Sequence, residues 1–233
     1  MGRQQYRTRR RPSIYAARCR WSVMSEPESM VFVVDDDASV REAVKKLLSA
    51  KGLCVETFAS PREFLEMASP NVPSCLVLDV RMPEISGLDF QRNLTAAEIH
   101  IPIVFITGHG DIPMTVRAMK AGAVQFLTKP FRGQDLIEAI REGLARDRVA
   151  RRERAELAPI RARYNTLTAR EREVLNLVLT GMLNKQIAGD LGTSESTIKN
   201  HRVHIMQKME VDSLAELVKV CERLKLSPPS DLH

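Results

Sequence analysis

The sequence predicts a doubly wound open α/β sheet of five parallel strands, followed by a small all-α domain of four helices. Short apolar runs alternate with helical patterns over residues 30–150, as they do in parallel sheets built from β-α units. Residues 166–233 carry helical patterns only. The length of 233 residues also suits two modest domains.

Four of the predicted strands lead into polar side chains. The apolar runs 30–34, 75–78, 103–106 and 124–128 are followed directly by Asp35, Asp79, Thr107 and Lys129, and the remaining strand covers 53–58. Right-handed β-α-β connections bring the carboxyl ends of parallel strands to one edge of the sheet, which is where open α/β sheets bind ligands. We therefore expect these four side chains to form one site.

Five helices are predicted around this sheet from their caps and apolar spacing. Ser39 and Glu42 have the spacing of a capping box for the first helix, which should stop at Gly52. Ser60 precedes a proline at the first position of the second helix. Further helical patterns cover 112–121 and begin again near Asp135.

Carboxylates crowded at one edge of a sheet need a cation, because they otherwise repel one another and raise each other's pKa. Mg²⁺ suits such a site, since it binds one or two carboxylates together with waters and phosphate oxygens. A carboxylate beside Mg²⁺ can attack a phosphoryl donor, while Lys129 and the Thr107 hydroxyl bind the phosphoryl oxygens. The expected product is an aspartyl phosphate.

The first domain, residues 30–150, resembles the receiver domain of two-component response regulators. The matching residues at the strand ends are Asp35, Asp36, Asp79, Thr107, Lys129 and Pro130. Residues 105–114 and 118–123 are similar to the FixJ subgroup of that family. In receivers the Lys-Pro bond is usually cis, so we expect a cis bond before Pro130.

The resemblance also implies the roles of individual residues. Asp79 is expected to be the phosphoacceptor, and Mg²⁺ is expected to be held by Asp35, Asp36, Asp79 and the backbone carbonyl of Arg81. Thr107 and Lys129 are expected to bind the phosphoryl group. Phe126 has the position of the family's switch aromatic.

The net charge of +6 is concentrated at the start of the chain, because residues 1–25 carry seven arginines and no acidic residue. We interpret 1–29 as a disordered basic tail, or as a mis-assigned start with Met24 or Met30 as the true beginning. The four cysteines form no Cys-x-x-Cys pair, so neither a zinc site nor a disulfide framework is predicted, as befits a reducing cytoplasm. No apolar run approaches the roughly eighteen residues that span a bilayer.

A second domain, residues 166–233, is predicted after a charged linker at 151–165 that extends the preceding helix and is broken near Pro159. Thr168 and Glu171 form a capping box for its first helix. A short helix at 184–191 and a tight turn at 192–194 lead into a helix at 195–209, which is a helix-turn-helix arrangement. The fourth helix is predicted from Leu214, Leu217, Val218, Cys221 and Leu224.

Residues 167–220 resemble the LuxR/NarL-type DNA-binding domain through the stretches 167–175, 184–188 and 194–201. On the helix 195–209, the residues Ile198, Ile205 and Met209 share one face and are assigned to the core. The resemblance implies base-edge contacts by Lys199, Asn200 and Val203, and phosphate contacts by Lys185, Thr197 and Arg202. The fourth helix resembles the family's dimerisation element.

These resemblances imply a phosphorylation-activated transcription regulator, not an enzyme. A sensor histidine kinase would phosphorylate Asp79 with Mg²⁺, the protein would then form a homodimer, and the homodimer would bind promoter DNA. RNA polymerase is a further candidate partner, and no membrane partner is expected.

Two alternatives are kept. The first is a DNA-binding regulator whose receiver dimerises without phosphorylation. The second is a haloacid-dehalogenase-type phosphatase with Asp35 as nucleophile, because residues 34–39 approximate the Asp-x-Asp-x-Thr signature of that class. Such a phosphatase needs an acidic pair after its lysine, and none follows Lys129 at a predicted strand end.

Overall fold

The computed structural model describes residues 28–66, 72–108 and 110–226. The chain divides into two compact units, with the boundary between Arg151 and Arg152. Of the predicted basic tail, residues 1–27 lie outside the described residues. No helix in the described ranges combines the length and the apolar character needed to cross a membrane.

The first unit is built on one sheet of five parallel strands, which confirms the predicted fold class. The strands are β1 Met30–Val34, β2 Cys54–Phe58, β3 Ser74–Asp79, β4 Ile103–Thr107 and β5 Gln125–Thr128. Their order in the sheet is β2-β1-β3-β4-β5. Val34 pairs with Leu78, and Thr107 pairs with Thr128, so the residues that follow these strands meet at one edge.

Helices cover both faces of this sheet. They are α1 Ala38–Ser49, α2 Pro61–Leu65, α3 Gly87–Ala96, α4 Ile112–Lys120 and α5 Gly133–Asn165. Successive strand residues point to opposite faces, so Phe32 of β1 packs in the core layer of α2, α3 and α4, while Val33 packs in that of α1 and α5. The central strands are therefore buried on both sides, which is why they are continuously apolar.

The capping box predicted at Ser39 is wrong. Asp37 is the N-cap of α1, and its carboxylate accepts a hydrogen bond from the Ser39 backbone N–H at 2.7 Å. This bond lowers the pKa of Asp37. Glu42 instead lies 3.4 Å from Lys46 Nζ in an exposed ion pair. An aspartate at this position satisfies the free N–H groups and suits the positive end of the helix dipole.

The break predicted near Pro159 is also wrong, because α5 continues through this proline as far as Asn165. A proline inside a helix removes one hydrogen bond and crowds the preceding turn. Here Ile160 is buried in the core of the second unit, and Leu157 and Tyr164 pack against the same core. Tertiary packing on both sides of Pro159 thus holds the helix together, and residues 151–165 are helical.

The second unit contains the four predicted helices in addition to the end of α5. They are α6 Ala169–Leu179, α7 Asn184–Asp190, α8 Glu195–Met209 and α9 Leu214–Arg223. The capping box of α6 is confirmed, since the Glu171 N–H donates to Thr168 Oγ1 at 3.2 Å and the Thr168 N–H donates to Glu171 Oε2 at 2.8 Å. Gly192, at φ +61°, lies in the turn between α7 and α8, where the left-handed backbone conformation favours glycine.

Candidate functional site

The carboxyl edge of the sheet brings Asp35, Asp79 and Lys129 together, as their positions at strand ends predicted. Lys129 Nζ lies 2.7 Å from Asp35 Oδ2 and 2.8 Å from Asp79 Oδ1. Both carboxylates are buried, whereas the lysine side chain keeps 24% of its surface exposed. One ammonium therefore bridges two buried carboxylates at the rim of the sheet.

The second oxygen of each carboxylate is held by the backbone. Asp35 Oδ1 accepts the Asp37 N–H at 2.9 Å, and Asp79 Oδ2 accepts the Arg81 N–H at 2.6 Å. The Lys129 N–H donates to the Thr107 carbonyl at 2.7 Å, and the bond before Pro130 is cis as expected. Each acidic side chain thus has one oxygen on the ammonium and the other on a main-chain donor, which fixes its orientation.

The electrostatics of this site follow from burial and from the shared ammonium. Burial raises the pKa of Asp79, and the hydrogen bond from Lys129 offsets this only in part. For Lys129, burial by itself acts to lower the pKa, but the hydrogen bonds to Asp35 and Asp79 outweigh it and the pKa is raised. The lysine therefore carries its positive charge at neutral pH.

Thr107 and Phe126 lie next to each other beside the loop between β4 and α4. Thr107 is fully buried at the end of β4, and the half-buried Phe126 ring is centred 6.1 Å from the Phe105 ring. A Cβ added to Gly110 would lie 2.9 Å from Phe126 Cε1 and 3.2 Å from Thr107 Cγ2. The absence of a side chain at Gly110 thus allows Gly110 to pack against both Thr107 and Phe126.

Arg41 and Gly110 are site residues that the sequence analysis missed. The Arg41 guanidinium donates from Nη1 to the backbone carbonyls of Asp35 at 2.7 Å and of Asp36 at 3.0 Å. It holds the loop that carries both acids. The sequence offers only a weak signal for this role, because an arginine in the first turns of a helix is usually a solvated residue.

The predicted Mg²⁺ ligands are brought together only in part. Asp35 and Asp79 share the Lys129 ammonium, whereas Asp36 is exposed. Across residues 28–66, 72–108 and 110–226, no three His, Cys, Asp or Glu side chains are grouped so that they could hold a metal ion. The donors nevertheless fit Mg²⁺ in kind, since they are carboxylate and carbonyl oxygens and this ion needs only one or two carboxylates.

The second unit presents most of the predicted DNA-contacting residues at its surface. Lys185 of α7 and Lys199, Asn200 and Val203 of α8 are exposed, with Val203 exposing 52% of its surface. Ile198, Ile205 and Met209 on the opposite face of α8 are buried, which confirms their assignment to the core. An exposed face that combines basic, amide and apolar side chains is suited to a DNA groove.

Arg202 and Thr197 differ from the other predicted DNA contacts. Arg202 is half-buried, and its Nη1 donates to Asn184 Oδ1 at 2.9 Å. The guanidinium thereby links α8 to the first residue of α7. Thr197 is also half-buried, with Oγ1 2.8 Å from Ser194 Oγ at the N-terminus of α8. Both side chains thus have intramolecular contacts within the helix-turn-helix.

Two family models match the chain, one over each unit. The receiver domain of response regulators matches residues 31–141, and the luxR family of bacterial regulatory proteins matches residues 165–221. The first match covers the Lys129 site, and the second covers the helix-turn-helix. The match of each model to its own unit agrees with the two resemblances inferred from the sequence.

Full-length relatives share both units. Nodulation protein W of Bradyrhizobium diazoefficiens is 51% identical over 86% of this chain and 88% of its own length. The transcriptional regulatory protein FixJ of Rhizobium meliloti is 43% identical over 82% of this chain and 93% of its own. The solved low-resolution structure of the response regulator StyR aligns with a TM-score of 0.63 at 52% identity, covering 84% of this chain and 99% of that one. The chain therefore belongs to the two-component response regulators of the FixJ type, in which a receiver domain is joined to a LuxR-type DNA-binding domain.

Proposed function

We propose that this response regulator is activated by phosphorylation, with Asp79 accepting the phosphoryl group from a sensor histidine kinase. The observation that carries the proposal is the Lys129 ammonium, which is hydrogen-bonded to both Asp35 and Asp79. A cation already positioned on the acceptor carboxylate can bind a phosphoryl oxygen with little reorganisation. Thr107, buried at the end of the neighbouring strand, would offer its hydroxyl to the same group.

The transfer forms one bond and breaks one. An Asp79 carboxylate oxygen attacks the phosphorus of a phosphohistidine, so that the new O–P bond forms as the P–N bond breaks. The imidazole leaves and takes up a proton from water. Contacts with the Lys129 ammonium and the Arg81 N–H orient the two Asp79 oxygens before the reaction.

Mg²⁺ held by Asp35, Asp36, Asp79 and the Arg81 carbonyl would supply the positive charge that neutralises the phosphoryl oxygens. Asp35 is oriented for this role by the Asp37 N–H. Arg41 would orient the segment that carries Asp35 and Asp36 through its bonds to their carbonyls. Lys129 would exchange its contact with a carboxylate for one with a phosphoryl oxygen.

Phosphorylation would act on an exposed apolar face of α4. This α4 face consists of Ile112, Val116 and Met119, which are 81%, 45% and 40% exposed and follow one another at helical spacing. Thr107 would move toward the phosphoryl group and Phe126 would turn inward. These movements would shift α4 and β5 from their arrangement in the unphosphorylated protein toward a second arrangement that phosphorylation favours. We propose that the α4 face then forms the interface of a homodimer.

The homodimer would bind promoter DNA through two helix-turn-helix units. The exposed residues Lys199, Asn200 and Val203 would face base edges, and Lys185 would face phosphates. Binding of one half-site raises the effective concentration of the second unit at the other half-site. DNA binding and phosphorylation by the kinase would both occur in the cytoplasm, where RNA polymerase is a candidate partner.

Intact-mass measurement tests the phosphorylation step. The protein is incubated with Mg²⁺ and acetyl phosphate, in parallel with Asp79→Asn and Asp35→Asn variants. We expect one phosphoryl increment in the native chain and none in Asp79→Asn. Steady hydrolysis of acetyl phosphate that survives Asp79→Asn and disappears in Asp35→Asn would instead support the phosphatase alternative.

The other alternative, regulation without phosphorylation, is tested with the same Asp79→Asn variant. We expect this variant to lose the response of promoter activity to the kinase. If its promoter activity and its dimerisation equal those of the native protein, the receiver acts as a dimerisation module alone. The full set of Asp35, Asp79, Thr107 and Lys129 at the strand ends favours phosphorylation.

A further inference from the structure

The side chain of Gln91 connects two helices on one face of the receiver sheet. Gln91 lies on α3 and is buried, with 5% of its surface exposed. Its Nε2 donates a hydrogen bond of 3.0 Å to the backbone carbonyl of Ala121, the residue that caps the C-terminus of α4. This bond therefore ties α3 to the end of the helix that carries the α4 face.

Within the described part of the chain, Gln91 Oε1 is buried and has no hydrogen-bond partner. A buried acceptor without a partner destabilises the fold, whereas an apolar side chain of similar size leaves no polar atom behind. The hydrogen bond from Nε2 is thus offset by the unsatisfied Oε1, so a glutamine adds little to the stability of the fold compared with an apolar residue.

The Ala121 carbonyl does not depend on Gln91 for a partner. Ala121 is exposed, so we expect water to reach its carbonyl when the glutamine is absent. The end of α4 is otherwise closed by main-chain bonds from the N–H groups of residues 121, 122 and 123 to carbonyls of α4. Removal of the Gln91 amide would therefore release the contact between α3 and α4 at little cost to folding.

We propose that Gln91 is a positioning residue that holds the C-terminal end of α4 against α3 while Asp79 is unmodified. This inference rests on the proposed function, because it assumes that α4 moves when Asp79 is phosphorylated. The Gln91–Ala121 contact, the Gln91 latch, stabilises the unphosphorylated position of α4. It thereby limits the dimerisation that occurs without phosphorylation.

The test uses the full-length chain with Gln91→Met and Gln91→Leu, and with Asn93→Met as the control, since Asn93 lies on the same helix but is exposed. Hydrogen exchange of the amides of residues 121–123 reports opening of the C-terminal end of α4, which the latch would limit. We expect these amides to exchange about fivefold faster in both Gln91 variants, the effect of one net hydrogen bond, and at the native rate in Asn93→Met.

Dimerisation and stability separate a role in switching from a structural one. We expect the unphosphorylated Gln91 variants to dimerise more strongly than the native chain and to gain less from phosphorylation, with an unchanged melting temperature and an unchanged phosphoryl increment. A lower melting temperature with native dimerisation in both Gln91 variants would mean that Gln91 only supports the fold. Native exchange rates at 121–123 would also overturn the proposal.

Failure of the proposed function gives a different result. If Asp79 drives no movement of α4, then phosphorylation leaves the dimerisation of the native protein unchanged. If only the latch is wrong, then phosphorylated native protein dimerises normally, and the Gln91 variants respond to phosphorylation as the native protein does.

Discussion

Lys208 Nζ lies 2.6 Å from Oε2 and 2.9 Å from Oε1 of Glu171, so a single ammonium on α8 contacts both oxygens of a carboxylate that is 4% exposed. Glu171 Oε2 also accepts the Thr168 N–H at the N-terminus of α6. This one carboxylate therefore caps α6 and fixes the helix proposed to enter DNA. Among the described residues of the second unit, Glu171 is the buried charged side chain.

Replacement of Glu171 by Gln should destabilise the packing of α6 against α8 by about 2 kcal/mol, because the half-buried Lys208 ammonium loses its charged partner. Hydrogen exchange of the α6 and α8 amides in the full-length chain measures this, since each unit can unfold separately. Glu173→Gln is the matched control. Its exposed pair with Arg170 should contribute less than about 1 kcal/mol, and an equal effect of both changes would refute the assignment.

The same pair predicts how the second unit responds to acid. Burial acts to raise the pKa of Glu171, but the hydrogen bonds from Lys208 and Thr168 outweigh it and hold the pKa below its usual value of 4.5. A lowered folded-state pKa stabilises the fold at pH values above the unfolded pKa, and this stabilisation is lost as pH falls through the folded value. Between about pH 5 and pH 3, the native chain should therefore lose more protection of α6 and α8 than Glu171→Gln does. Parallel losses in the two proteins would contradict this.

Replacement of Lys129 by Met should leave two buried carboxylates without their shared cation. We expect the receiver unit to lose about 3 kcal/mol of stability, the usual effect of removing one partner of a buried pair. Phosphoryl uptake by Asp79 from acetyl phosphate should fall strongly, because the group that binds the phosphoryl oxygen is gone. The loss of stability is measured by urea unfolding that is monitored through hydrogen exchange of the β1 and β3 amides. Phosphoryl uptake is measured by intact mass. Lys120→Met, exposed at the end of α4, is the control.

A charge on the α4 face should separate dimerisation from phosphorylation. In Val116→Glu, a carboxylate would be buried at the proposed interface, whereas in the monomer it stays in water at little cost. Sedimentation of the phosphorylated variant should show a monomer, while its intact mass shows a normal phosphoryl increment. Leu65→Glu, at an exposed apolar position on α2, is the matched control and should dimerise like the native chain. A dimeric phosphorylated Val116→Glu would place the interface elsewhere.

Two substitutions in the second unit should weaken DNA binding in different ways. Val203→Ala removes an exposed apolar group proposed to contact a base edge, so it should lower affinity for the specific promoter more than for unrelated DNA. Lys185→Ala removes a proposed phosphate contact, so it should weaken binding to the specific promoter and to unrelated DNA about equally. It should also reduce the slope of log affinity against log salt concentration by about one. Fluorescence anisotropy at several salt concentrations measures both. Identical specificity ratios for the two variants would argue against the proposed orientation of α8.

The sequence by itself determined the order of the elements and the grouping of the site residues. Apolar runs that end in Asp35, Asp79, Thr107 and Lys129 predicted a parallel sheet and a common edge, because strand periodicity and connection handedness are nearly independent of the rest of the chain. The same holds for the capping box at Thr168 and Glu171. Such local rules need only residue type and spacing.

Tertiary structure decided the features in which a local preference competes with packing. The helical path through Pro159 follows from the burial of Ile160 on the far side, which sequence spacing does not reveal. Asp37 caps α1 in place of Ser39 because the helix begins at Ala38, a few residues after β1 ends at Val34.

The partners of long polar side chains were likewise decided by tertiary structure. Lys208 reaches Glu171, Arg202 reaches Asn184, and Gln91 reaches Ala121, each across 18 to 37 residues of sequence. A flexible side chain has several possible partners at such separations, and only the folded positions of the helices select one of them. The sequence thus determined which residues lie at the carboxyl edge of the receiver sheet and on the exposed face of α8. Tertiary structure determined the side-chain contacts that hold the helices of both units in position.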